Sequence, residues 1–116
     1  MSGPHKPGIT VELLYFVGCP SYQKVWRDVA DVLAETNLNA NVRLVNVDSV
    51  ALADALHFAG SPSVKVNGQD LEGYEGRGVM ACRLYRENGG KGWPSRDLLK
   101  RNLLGQANGK GRGRQA

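Results

Sequence analysis

The stretch that most limits what this chain can fold into is Ile9-Thr-Val-Glu-Leu-Leu-Tyr-Phe-Val17 and the break that follows it. The run is rich in β-formers and apolar at both alternate positions, which a strand with one wet face does not tolerate. A chain that starts this way must cover the strand on both sides, and helices on both faces of a sheet are the usual solution. The run stops at Gly18-Cys19-Pro20. Proline in the first turn of a helix loses no bond, because that amide would have no helical partner anyway. Beyond it Tyr22, Val25, Trp26, Val29, Val32 and Leu33 recur at three- and four-residue intervals, with Gln23, Lys24, Arg27, Asp28, Asp31 and Glu35 between them. This spacing predicts an amphipathic helix ending near Asn37.

The rest of the chain alternates in the same manner. Asn41–Val47 returns to strand character, and Asp48-Ser49 can cap a second helix over Val50–Ala59, closed by Gly60. His57 falls off the Leu52/Leu56 face and reads as a surface or rim histidine. Ser61-Pro62 starts a short strand, Ser63–Val66, and Asn67-Gly68 is a strong hairpin signal. Val79–Arg86 is expected to be the fourth strand, with Met80, Cys82 and Leu84 on its apolar face. Asn88–Gly92 is a loop. Pro94-Ser95 then opens a last helix with Leu98, Leu99 and Leu103, ending at Gly105. The order β-α-β-α-β-β-α predicts an α/β domain over residues 9–104, with strands one and two parallel through a right-handed crossover and strands three and four antiparallel. Residues 1–8 are expected to be a flexible N-terminal segment, and 105–116 a disordered, basic, glycine-rich tail.

Charge narrows the function classes. The net +4 comes from Lys6, Lys110, Arg112 and Arg114, because residues 9–104 carry eleven basic side chains against all eleven acids. A neutral folded part is not a nucleic-acid reader, so no specific nucleic-acid partner is expected. No run approaches the roughly 20 apolar residues of a membrane span, and no apolar leader opens the sequence, so a cytoplasmic protein without membrane contact is expected. Two cysteines, Cys19 and Cys82, are too few for a stapled secreted scaffold or an all-cysteine zinc site. His5 and His57 follow no ligand spacing with them, and neither a metal nor any other cofactor is expected. The oligomeric state is not readable from the sequence.

With these residues in place the chain resembles the thioredoxin superfamily. The resemblance rests on the element order, on Cys19-Pro20-Ser21-Tyr22 after the first strand and on Gly60-Ser61-Pro62-Ser63 before the third. It implies a thioredoxin-like, four-stranded mixed sheet flanked by helices, with Ser61-Pro62 in the cis form beside a reactive Cys19. Gly89-Gly90 is similar to the glycine pair by which glutaredoxins approach glutathione. More narrowly, the chain resembles small thioredoxin-like proteins that pair Cys-Pro-x-Tyr with a later Cys-Arg-x-Tyr, here Cys82-Arg83-Leu84-Tyr85. Some of these carry alkylmercury-lyase labels, which points to soft-metal thiol chemistry at most. Thioredoxins proper have Cys-x-x-Cys, whereas Tyr22 holds the fourth position here, so a one-thiol site needs a second thiol to finish the exchange.

A thiol at the front of a helix meets unpaired amides and the positive end of the helix dipole, which favour the thiolate. Cys19 is therefore the expected nucleophile. Ser21 is expected either to bond the sulfur or to cap the helix, and Pro20 and Tyr22 to line the site. Tyr22 can equally pack against the helix. Ser61, next to a sharp turn at Pro62, is expected to offer its backbone to an extended substrate. Cys82 reads as a small core residue, with a role as second thiol left open. Trp93 either lines a groove or acts as a buried staple. The leading expectation is exchange or reversible capping with a protein or low-molecular-weight thiol or disulfide. The alternatives are a non-catalytic binding module of the same fold, or capture of mercury or copper(I) by the thiols.

Overall fold

The computed structural model describes residues 8–107, so most of the expected N-terminal segment and the tail after Ala107 lie outside the described residues. In chain order the elements are β1 (Thr10–Tyr15), α1 (Tyr22–Thr36), β2 (Asn41–Asn46), α2 (Val50–Ala55), β3 (Ser63–Val66), β4 (Gln69–Asp70), a 3-10 turn (Arg86–Asn88) and α3 (Arg96–Ala107). β1 runs parallel to β2 and antiparallel to β3, and β3 pairs antiparallel with β4, so the sheet order is β2-β1-β3-β4. The protein is α/β, with one four-stranded mixed sheet and three helices.

The doubly apolar β1 has the surroundings its sequence demands. Val11 and Leu13 pack with Val25, Val29 and Val32 of α1 and Leu98, Leu99 and Leu103 of α3. Leu14, pointing the other way, packs with Val47, Ala53 and Phe58. Each such side chain contributes about 1.5–3 kcal/mol by leaving water. α3 runs two residues past Gly105, to Ala107, and Ser95 Oγ accepts the Leu98 amide at its start.

α2 is shorter than the sequence suggests. Its apolar run extends to Ala59, but the helix stops at Ala55 and the chain turns at His57, where φ is +52°. A continued helix would place Phe58 in line with Ala51 and Asp54, both exposed. The turn sends it instead into the second core, where it is fully buried. At the other end Ser49 Oγ accepts the Leu52 amide at 3.1 Å, the capping bond expected there. Ser49→Ala is expected to cost about 1 kcal/mol in urea denaturation, while Ser49→Gly loses only a few tenths.

The fourth strand departs from expectation. The two-residue Asn67-Gly68 turn returns the chain at once, so the partner of β3 is Gln69–Asp70 rather than Val79–Arg86. Residues 71–78 then cross to α2. Gly78 lies so close to the Ala53-Asp54 backbone that a side chain there would collide with it, and its amide bonds Asp54 Oδ1 at 2.8 Å. Val79–Arg83 continues as an irregular strap laid parallel to residues 58–61, with Ser61 opposite Cys82. From Cys82 to Tyr85 the alternation is inverted relative to expectation. Met80, Cys82 and Leu84 face solvent, whereas Arg83 and Tyr85 are buried.

Candidate functional site

The β1–α1 loop and the turn before β3 meet at one end of the sheet. The Cys19 amide bonds the Phe16 carbonyl at 3.2 Å, which folds the loop back on the end of β1. The Phe16 amide in turn bonds Ser61 Oγ at 3.3 Å, tying this loop to the Ser61-Pro62 turn. Ser61-Pro62 is cis, as the resemblance implied. The Pro62 carbonyl accepts the Tyr85 hydroxyl at 2.6 Å. Phe16 also meets Phe58 edge to face, 6.3 Å between ring centres.

α1 begins at Tyr22, so Pro20 is an exposed residue of the preceding turn rather than part of the helix. Ser21 takes the cap position without a side-chain capping bond. Cys19 stands three residues before the helix and is only 4% exposed. Tyr22 stacks on Tyr15 at 4.2 Å, which assigns it to packing. Trp93 packs partly buried against the first core, with the Lys24 ammonium over its ring.

Two expectations are overturned here. Ser61 does not leave its backbone free. Its amide donates to the Ala81 carbonyl at 2.9 Å and its carbonyl accepts the Arg83 amide at 2.9 Å, so the strap fills the edge an extended substrate would use. Cys82 is not a core thiol. It is exposed and borders a groove of about 440 Å³ with Ala59, Tyr74, Leu84 and Arg86. Gly89 and Gly90, both at positive φ, close the turn after Tyr85 through bonds to the Arg86 and Tyr85 carbonyls. Their conformation is thereby explained without a ligand.

The sequence reading missed a buried charge cluster beneath the Pro62 turn. The Arg83 guanidinium makes paired bonds to Asp70, at 2.7 and 2.8 Å, and further bonds to Ser63 Oγ at 2.9 Å and Glu72 at 3.3 Å. It also lies over the Tyr85 ring. Ser63 Oγ passes the chain on to the Gly60 carbonyl at 2.6 Å. Burial alone would raise the Asp70 carboxyl, but the Arg83 hydrogen bond and charge, with the Glu72 and Tyr74 amides, hold it below its usual 3.8. Desolvation works against the Arg83 charge too, yet the bond to Asp70 and the surrounding negative groups keep it above its ordinary value. Burial raises the Tyr85 hydroxyl, which stays a donor to Pro62. The Cys82-Arg83-Leu84-Tyr85 motif was the signal available for this cluster, since its charged and aromatic members are the two that turn inward.

His57 is exposed as expected, with Nδ1 2.9 Å from the Gly76 carbonyl. It borders a groove of about 770 Å³, which neither cysteine lines. Among the described residues no three His, Cys, Asp or Glu side chains are grouped to hold a metal ion, and no helix is long and apolar enough to cross a membrane.

The site thus belongs to an α/β protein whose one buried and one exposed cysteine flank a cis-proline turn. Comparison with protein-family models, curated proteins and solved structures gives no match.

Proposed function

We propose that this chain is a thioredoxin-like thiol protein that exchanges disulfides through Cys19. The observation that carries the reading is the Phe16–Ser61 hydrogen bond, which holds the Cys19 loop against the turn containing Pro62. In the reaction the Cys19 thiolate attacks one sulfur of a protein or small-molecule disulfide. A Cys19 mixed disulfide forms, the other sulfur leaves as a thiolate, and a second thiol clears the adduct. Exposed Val17, Gly18 and Pro20 border the loop. Phe16, Val17 and Met80 line a groove of about 340 Å³ beside it, an apolar approach for a partner's chain. The reducing cytoplasm would supply the clearing thiol.

A second reading, a binding module of the same fold without turnover, is favoured by two observations. Cys19 has little exposed surface, and the Ser61 backbone is already paired. Alkylation separates the two. In Cys82→Ser protein at neutral pH, exchange predicts that iodoacetamide labels Cys19 in the native state at least as fast as in urea. Labelling only after denaturation would leave the binding module.

A further inference from the structure

We propose that Cys82 is the second thiol of the Cys19 reaction, closing on the mixed disulfide and releasing the first product. This rests on the exchange reading above and adds the residue that completes it. Ser61 is the common neighbour. Its side chain accepts the Phe16 amide, and the Cys19 amide bonds the Phe16 carbonyl. Its backbone is paired on the other side with Ala81 and Arg83, which places Cys82 directly opposite it. A second meeting point lies at Gly92. A side chain built there would sit 3.2 Å from Ser21 Oγ, two residues after Cys19, and 3.9 Å from the carbonyl of Arg83, next to Cys82. The two cysteines are thus brought to one corner by separate contacts on either side.

Two strand spacings separate the end of β1 from the strap, about 9.6 Å. Disulfide Cα atoms lie at most about 7 Å apart, so closure needs the strap to shift toward the Cys19 loop. The strap is built to give that shift locally. It is fixed at one end by the Gly78 amide on Asp54 and at the other by the buried Arg83–Asp70 pair. Between these anchors Val79, Met80, Ala81 and Cys82 are all exposed, and two backbone bonds hold them, Val79 to Phe58 and Ser61 to Ala81. Opening those two bonds frees a four-residue arch without breaking either anchor.

The chemistry balances. Cys19 thiolate and a disulfide RS–SR′ give Cys19–S–S–R and R′S⁻. The Cys82 thiolate then attacks the Cys19 sulfur, the bond to R breaks, and RS⁻ leaves. The protein is oxidised to a Cys19–Cys82 disulfide while RS–SR′ is reduced to two thiols, and a dithiol reductant restores the protein.

The test exposes wild type, Cys82→Ser and Cys19→Ser to glutathione disulfide, quenches with acid, and maps the products by non-reducing mass spectrometry. Cys82 is exposed, so its serine variant should keep the wild-type melting curve. Wild type is expected to pass to an intramolecular Cys19–Cys82 disulfide, while Cys82→Ser keeps a Cys19–glutathione adduct at least about tenfold longer. Equal lifetimes of that adduct in wild type and Cys82→Ser would overturn the role of Cys82 and leave exchange at Cys19 intact. No adduct at Cys19 in either protein would overturn the exchange reading and this inference with it.

Discussion

Arg83→Ala is expected to destabilise the fold by about 3–5 kcal/mol, because it leaves the Asp70 carboxylate buried without its partner. Urea denaturation measures the loss. Arg83→Met with Asp70→Asn should recover much of it, since removing both charges removes the desolvation cost as well as the attraction. The cluster also sets the acid limb of stability. The folded Asp70 carboxyl lies below its usual 3.8, so its contribution is complete above that value and is lost as pH falls through the lower, folded value. Asp70→Asn should therefore flatten the fall in stability below about pH 4. An unchanged acid limb in that variant would show that the Arg83–Asp70 pair is not what acid breaks.

Phe58→Ala should cost a similar amount, about 3–5 kcal/mol, by emptying the second core. The ring is fully buried with Leu14, Val47 and Ala53, and it supports Phe16 edge to face. Phe16 carries both bonds that hold the Cys19 loop, its carbonyl to the Cys19 amide and its amide to Ser61. Loosening that ring should therefore speed native-state alkylation of Cys19 beyond what global unfolding explains. Leu103→Ala, in the opposite core, is the control, expected to lose stability without a matching gain in labelling. Equal gains in both variants would remove Phe16 as the link between core and thiol.

Much of the architecture was legible because it is written locally. The doubly apolar run of β1, the three-four spacing of α1 and the Asn67-Gly68 turn each carry a short-range signal, and each element appears where that signal stands. What could not be read depends on distance. The Arg83–Asp70 bonds join residues 13 positions apart, and the Cys82-Arg83-Leu84-Tyr85 motif contains only one of the two partners. An alternating stretch such as Val79–Arg86 has two faces, and hydropathy alone chose Met80, Cys82 and Leu84 as the inner one. The opposite face won because a guanidinium with four oxygen partners and an aromatic ring beneath it can be buried, whereas the sequence pattern counts it as solvent-facing. Once Arg83 turns inward, Cys82 must turn outward, and the position of the second thiol follows from the charge cluster. Ser61 failed for the same reason, since its edge is filled by a segment 20 residues later that local rules assigned to another strand.

The Pro62 carbonyl is secured by a hydroxyl 23 positions further along the chain. During synthesis the central strands can therefore be complete while this corner still waits for residue 85 to emerge. Until then the Pro62 carbonyl lacks its hydroxyl partner, so the turn against which the Cys19 loop rests is set only after the sheet itself.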